Sequence, residues 1–322
     1  MQKNTKNKQD VTSLFKAVGI PGRFIITATN NTYEIDALEP KNNWLYPAFR
    51  GFQNLSTRLT KENKPTDTFV AIGTGQGLDA VGAYHILKPK NIIITDLHPA
   101  VVPITEKNFY QNIKNGSAAV MALTGNLCEP LRQNKITADI IYANLPNIPL
   151  SEADTILSGQ LTSTFFDASR APHSPSLLNA YLLGLQNAFL QDAHASLAPG
   201  GSVIINLGGR VPIALIQTMF ADAGYTYQEL YATFKLQTQP EWVLGGYARA
   251  EEKYKKRFDF YRYDAASARL GTKIFEENIS AVKLKKLLEP FLINATSALK
   301  RCVYDHERVG HVVQIIRGLK KN

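Results

Sequence analysis

Two stretches of this 322-residue chain carry residue types and spacings suited to chemistry. The first is Gly73-Thr74-Gly75-Gln76-Gly77, with Asp96 further on. Closely spaced glycines let a backbone come up against a ligand, and the amino end of a following helix offers unpaired N–H groups to an anion. A carboxylate can accept both hydroxyls of a ribose. The second stretch is Asn144-Leu145-Pro146-Asn147-Ile148-Pro149, a stiff polar loop directly after the apolar run Ala138 to Ala143. A further residue, Arg210, leaves Gly208-Gly209; its planar fork could grip a carboxylate, or it could be a surface arginine after a tight turn.

Elements to position these residues are legible around them. Phe69 to Ile72 reads as a short strand, Leu78 to Leu87 as a helix stopped by Lys88-Pro89, and Asn91 to Thr95 as a second strand ending in Asp96. A β-glycine-α-β-Asp unit of this kind is the nucleotide-cradling half of a doubly wound fold. The dinucleotide fingerprint G-x-G-x-x-G would need a glycine where Leu78 stands, so NAD is disfavoured. No Lys-Ser or Lys-Thr pair follows the loop, which excludes a phosphate-gripping P-loop. Ser117 to Leu123 is expected as a third strand delivering Gly125-Asn126-Leu127, and Ala138 to Ala143 as a fourth. Ligands of open α/β sheets sit at the carboxyl ends of the strands, which puts the Asn144 loop at the site.

The G-x-G-x-G spacing with an acid ending the second strand resembles motif I and its successor in class I S-adenosylmethionine-dependent methyltransferases. That resemblance implies S-adenosyl-L-methionine as cofactor, with Gly73, Thr74, Gly75 and Gly77 in the loop at its methionine end. It also implies Asp96 and Leu97 at the ribose and Asn126 with Leu127 beside the adenine; Asn126 is equally suited to capping the turn towards Pro130. The family's usual acid two residues before the first glycine is Ala71 here. The loop from Asn144 resembles the N-P-P-Y signature of methyltransferases acting on glutamine or adenine nitrogens. In that family the Asn carboxamide and the adjacent backbone hold the amine hydrogens and aim the lone pair at the methyl group, an effect of position.

By that resemblance Asn144 and Pro146 are the catalytic positions, and Asn144 also meets the cofactor. Leu145 and Asn147 depart from the signature. An aromatic at 147 would stack on a base for ~1–3 kcal/mol, and its loss favours a small or aliphatic acceptor. Residues 35–263 are also similar to the amino-terminal module of methionine S-methyltransferases, through P-K-N-N-W-L-Y-P, P-N-I-P, I-N-L-G-G-R and R-F-x-F.

Upstream, Val11 to Val18 reads as a helix, and Arg23 to Thr29 with Thr32 to Leu38 as a hairpin turned by Asn30-Asn31. The aromatic passage Trp44, Tyr46, Phe49 and Phe52 is either local core or a flap whose ring faces attract the sulfonium. Tyr46 and Arg50 are its candidate substrate contacts, beside Asn147 and Arg210. Downstream are a helix over 174–197, a fifth strand Ser202 to Leu207, a helix to Ala223, and the strands Tyr225 to Leu236 and Lys256 to Tyr263. An acid-rich connector is expected between those last two, and helices over 264–322.

The expected fold class is α/β, Rossmann-like and doubly wound, with a mostly parallel seven-stranded sheet and an antiparallel end strand. The chain divides on this reading into a disordered tail 1–10, an amino-terminal element 11–66, a core 67–263 and a basic helical extension 264–322. The net charge is +9; residues 249–322 hold 17 Lys and Arg against 9 Asp and Glu, so the basic character is carboxy-terminal. Interleaved acids make it a solvated face, or it attracts nucleic acid. Cys128 and Cys302 lie far apart without metal-ligand spacing, so neither a disulfide nor a metal site is expected. No apolar run reaches the ~18 residues of a membrane span, and a cytoplasmic protein is expected.

The function expected is methyl transfer to a nitrogen or sulfur of a small amino-acid-like acceptor. A protein glutamine or nucleic-acid nitrogen is the alternative acceptor, and a degenerate fold that only binds a partner is the alternative class.

Overall fold

The computed structural model describes residues 7–28, 35, 37–113, 118–150, 165–168, 173–275 and 279–321. In chain order the strands are β1 (Asn7–Asp10), β2 (Ile25–Ala28), β3 (Thr68–Ile72), β4 (Asn91–Asp96), β5 (Ala119–Thr124) and β6 (Ala138–Ala143). They continue as β7 (Ile148–Pro149), β8 (Phe165–Phe166), β9 (Leu197–Gly208), β10 (Tyr225–Leu236), β11 (Phe260–Arg262), β12 (Leu292–Ile293) and β13 (Val309–Lys320). The main sheet runs β5-β4-β3-β6-β9-β13, with β10 on the far side of β13. Strands β3, β4, β5, β6 and β9 are mutually parallel, while β13 is antiparallel to both of its long neighbours. The short β11 pairs with the start of β13, and β12 extends it.

Period-two alternation loads both faces of this sheet. Val70, Ile72, Ile141, Ala143, Val203 and Ile205 face one layer, which includes the helices Gly184–Ala193, Ile213–Asp222 and Pro240–Tyr254. Phe69, Ala71, Ile92, Ile94, Ile140 and Tyr142 face the other, with the helices Leu45–Lys61 and Leu78–Leu87. The strand order reverses between β3 and β6, which opens the crevice where ligands bind in such sheets.

The largest departure from expectation lies at the carboxy terminus. Residues 309–320 form β13 rather than a closing helix, and β13, not Lys256 to Tyr263, is the antiparallel strand paired with β10. Val312, Val313, Ile315 and Ile316 match helical spacing, yet a strand buried on both faces reads as the same continuous apolar run, and β-branched residues prefer it. Buried Arg317 fixes the placement by forking onto Glu62, at 2.9 and 3.1 Å, and donating to Ser202 Oγ.

Before β13 the segment is largely helical, with Tyr263–Leu270, Ala281–Leu288 and Ala295–Tyr304. The acid-rich connector is the helix Pro240–Tyr254, entered through proline at its first position. The single helix expected over 174–197 breaks into Ser176–Ala180 and Gly184–Ala193, because the chain reverses at Leu182 in the left-handed region. At the amino terminus, residues 7–10 of the expected disordered tail pair with Ile25–Ala28. The turn expected at Asn30-Asn31 lies outside the described residues.

Candidate functional site

All three glycines of the loop take left-handed backbone, with φ of 65°, 53° and 83°, which side-chain-bearing residues rarely adopt. The loop is tied to the adjacent strand rather than left to solvent. Thr74 N–H donates to Thr95 O at 3.0 Å, and Gly75 N–H to Asp96 Oδ2 at 3.0 Å. Asp96 Oδ1 accepts from His98 N–H at 2.9 Å, so both carboxylate oxygens are oriented by backbone donors. Burial raises the Asp96 carboxyl above its ordinary value, and those N–H bonds oppose the rise. Gly77 caps the helix Leu78–Leu87 away from the cavity; a Cβ there would stand 2.8 Å from Thr105 Cγ2.

A cavity of about 460 Å³ opens at the carboxyl ends of the strands. Of the residues singled out in the sequence, Gly73, Thr74, Gly75, Asp96, Leu97, Asn126 and Leu127 line it on the glycine-loop side. Asn144, Pro146, Asn147 and Arg210 line it further along the sheet edge. The carbonyls of Leu145 and Pro146 accept from Gln186 Nε2 at 3.4 and 3.3 Å, which steadies the loop. Asn144 turns to the cavity and forms no side-chain hydrogen bond among the described residues.

At the far end stand Arg210, Lys235 and His311. Arg210 is 7% exposed, so it is not a surface residue. It donates to Gln237 Oε1 at 2.6 Å and lies over the rings of Tyr247 and Phe260. A Cβ at 208 would overlap the Arg210 guanidinium, so a side chain there would displace Arg210 from its present position.

The model of the ribosomal protein L11 methyltransferase family, PrmA, matches residues 53–159. That segment contains the glycine loop, Asp96, Asn126 and the Asn144 loop. That match, with the fold and the cavity geometry, supports a class I S-adenosylmethionine-dependent methyltransferase with S-adenosyl-L-methionine as its cofactor. Methionine S-methyltransferase of Zea mays is 20% identical over 246 residues, covering 71% of this chain and 22% of that protein. The Hordeum vulgare methionine S-methyltransferase gives the same figures. The chain therefore matches little more than a fifth of the length of these curated relatives. A solved structure, the T. thermophilus 16S rRNA N2 G1207 methyltransferase in complex with AdoMet and guanosine, is similar at 15% identity with a TM-score of 0.43. It covers 70% of this chain and 47% of that one.

Several cavity residues of this methyltransferase escaped the sequence reading. From the aromatic passage it is Trp44 that lines the cavity, its carbonyl held by Asn206 Nδ2 at 3.1 Å. Tyr46 and Arg50 do not line it. Their helix turns them to the sheet, where Arg50 sits 5.9 Å from the Tyr231 ring and bonds Gln53, while Phe49 and Phe52 are core. Asp79, in the first turn after the loop, is buried, borders the cavity and accepts from Tyr142 OH at 3.2 Å. Burial lifts its carboxyl well above the ordinary range. Tyr142 stands beside Ala71 in the β3–β6 register, so the carboxyl absent from position 71 has a neighbour in Asp79. An acid at that helix end looked ordinary, since anions suit the amino terminus of any helix.

Proposed function

We propose that this methyltransferase transfers the methyl group of S-adenosyl-L-methionine to a nitrogen or sulfur of a small amino-acid-like acceptor. The observation that carries this reading is the order of groups along one small cavity: Asp96 at one end, Asn144 in the middle, buried cations at the other. Its volume is in the range of sites for small ligands, ~300–1,000 Å³.

The residues fit the cofactor. Asp96 offers a pre-oriented carboxylate to a ribose, the left-handed glycine loop leaves its backbone open to a ligand, and Asp79 supplies a carboxyl for an ammonium where Ala71 cannot. When bound, the cofactor supplies a sulfonium-activated methyl group to a nucleophile's lone pair. Asn144 holds and orients the acceptor through its uncommitted carboxamide, and the Gln186-braced loop keeps that carboxamide in place. Trp44, Leu145 and Ile148 supply apolar walls that limit water.

The carboxy-terminal charge supports a small acceptor over a nucleic acid. Lys285, Arg262, Arg301, Arg308 and Arg317 close ion pairs with Asp259, Glu307, Asp264 and Glu62. The test is label transfer from methyl-labelled cofactor to a panel of free amino acids and amines, to total RNA and to protein. Label is expected in a free amino acid or amine. Asn144→Ala should cut turnover by about 100-fold, the scale of a lost positioning contact, with affinity for S-adenosylhomocysteine within about twofold. Label found only in RNA or protein would refute the reading.

A further inference from the structure

We infer that Arg210, Lys235 and His311 form a binding site for a carboxylate, the group by which the acceptor is held. The inference rests on the methyltransferase reading and specifies the far end of its cavity.

Three strands deliver these side chains to one place. Arg210 follows the end of β9, His311 lies on β13, and Lys235 stands directly opposite His311 in the β10–β13 register. All three border the cavity, and Lys235 and His311 are 5% and 3% exposed. No described carboxylate neutralises them. The partners of Arg210 are the neutral Gln237 and Tyr247, and neither Arg210 nor Lys235 forms an ion pair among the described residues. Arg210 Nε and His311 Nδ1 are buried with no hydrogen-bond partner. Of the three described carboxyls that border the cavity, Asp96 is held by Gly75 and His98, Asp79 is met by Tyr142, and Asp167 is engaged by a partner other than Arg210, Lys235 or His311.

Buried cations without counter-charge oppose folding by several kcal/mol each. Burial and the neighbouring Arg210 push Lys235 down to about 7, and burial with both cations holds His311 well below the usual imidazole range. A fold keeps such an arrangement stably when an anion completes it. Side chains covered to this degree suit a small anion better than the phosphate backbone of a polymer. A planar guanidinium edge beside an ammonium matches the two oxygens of a carboxylate. Strands spaced about 4.8 Å apart put Arg210 one strand, and Lys235 three strands, beyond the β6 edge that carries Asn144. The shorter of these distances suits a free amino acid whose carboxylate meets Arg210 and whose side-chain nucleophile is at Asn144, with the long Lys235 side chain reaching in from the farther strand.

The experiment uses the full chain with lysines labelled at the ε-carbon. Lys235 is identified by the signal missing in Lys235→Met. Acetate, L-methionine, L-methioninamide and inorganic phosphate are titrated with and without S-adenosylhomocysteine. Acetate and L-methionine should move the Lys235 resonance saturably, the amide should bind at least tenfold more weakly than L-methionine, and Arg210→Met should abolish the response. Absence of a response to acetate and L-methionine, or saturation by phosphate alone, would overturn the carboxylate site. Failure of S-adenosylhomocysteine to bind would instead count against the methyltransferase reading, with the carboxylate site still judged by the acetate titration. If Arg210→Met does not fold, Arg210→Lys, which keeps the charge but loses the fork, should weaken the acetate response at least tenfold; an unchanged response would overturn the site.

Discussion

Lys235 and His311 are direct cross-strand partners on β10 and β13, and both line the cavity beside Arg210. Burial of Lys235 beside the Arg210 guanidinium leaves a signature in stability. Native Lys235 gives up its proton near pH 7, whereas the unfolded chain keeps it to about pH 10. Between those values the unfolded state binds the additional proton, so the contribution of this group to stability rises with pH; below 7 the penalty is complete. Lys235→Met removes the dependence. Urea denaturation at about pH 6.5 and about pH 8.5 should find the variant the more stable at the lower pH. The wild type should gain on it at the higher pH by on the order of 1 kcal/mol per pH unit. Parallel pH profiles would contradict this.

Asp79 tests how the site manages without an acid at position 71. If its carboxyl receives the cofactor's ammonium, Asp79→Asn should weaken S-adenosylmethionine and S-adenosylhomocysteine alike by roughly tenfold or more, the range of a hydrogen bond to a charged group. Tyr142→Phe, which removes the donor that orients Asp79, should weaken both by less. Equal affinity in Asp79→Asn, measured by calorimetry, would remove Asp79 from the cofactor site.

The glycine loop, Asp96 and the Asn144 loop were legible in the sequence because each is a local signal, a turn chemistry set between two periodic segments. Lys235 and His311 were not. Lys235 sits in an alternating run, T-F-K-L-Q, that reads as a half-solvated strand, and His311 begins a stretch whose apolar spacing fits a helix. They become neighbours only because β13 inserts antiparallel between β9 and β10, a contact between segments some seventy residues apart. Trp44 was seen as part of an aromatic group, but which ring meets the cavity depends on the phase of the helix Leu45–Lys61, and that is fixed by packing such as Phe49 against Gly82.

The Arg317–Glu62 pair anchors β13, and its two halves are not equivalent. Arg317 is fully buried while Glu62 is partly exposed. Glu62→Ala strands a buried guanidinium and should cost about 3 kcal/mol, at the low end for a broken buried pair because Glu62 is partly solvated. Replacing both partners with apolar residues, as in Arg317→Met with Glu62→Leu, should be closer to neutral. Denaturant midpoints of the variants measure this, and a single Glu62→Ala as stable as wild type would show that the pair does not hold the strand.

Calorimetric titration of S-adenosylmethionine and S-adenosylhomocysteine into the pure protein, with Asp96→Ala alongside, decides whether Gly75 and Asp96 hold the cofactor. Binding in the micromolar range, about −8 kcal/mol, is expected for the wild type. A loss of roughly tenfold or more is expected in the variant, since the carboxylate makes charge-assisted bonds worth about 1.5–3 kcal/mol. No binding of either ligand, or an affinity unchanged by Asp96→Ala, would contradict the assignment of this cavity to S-adenosylmethionine.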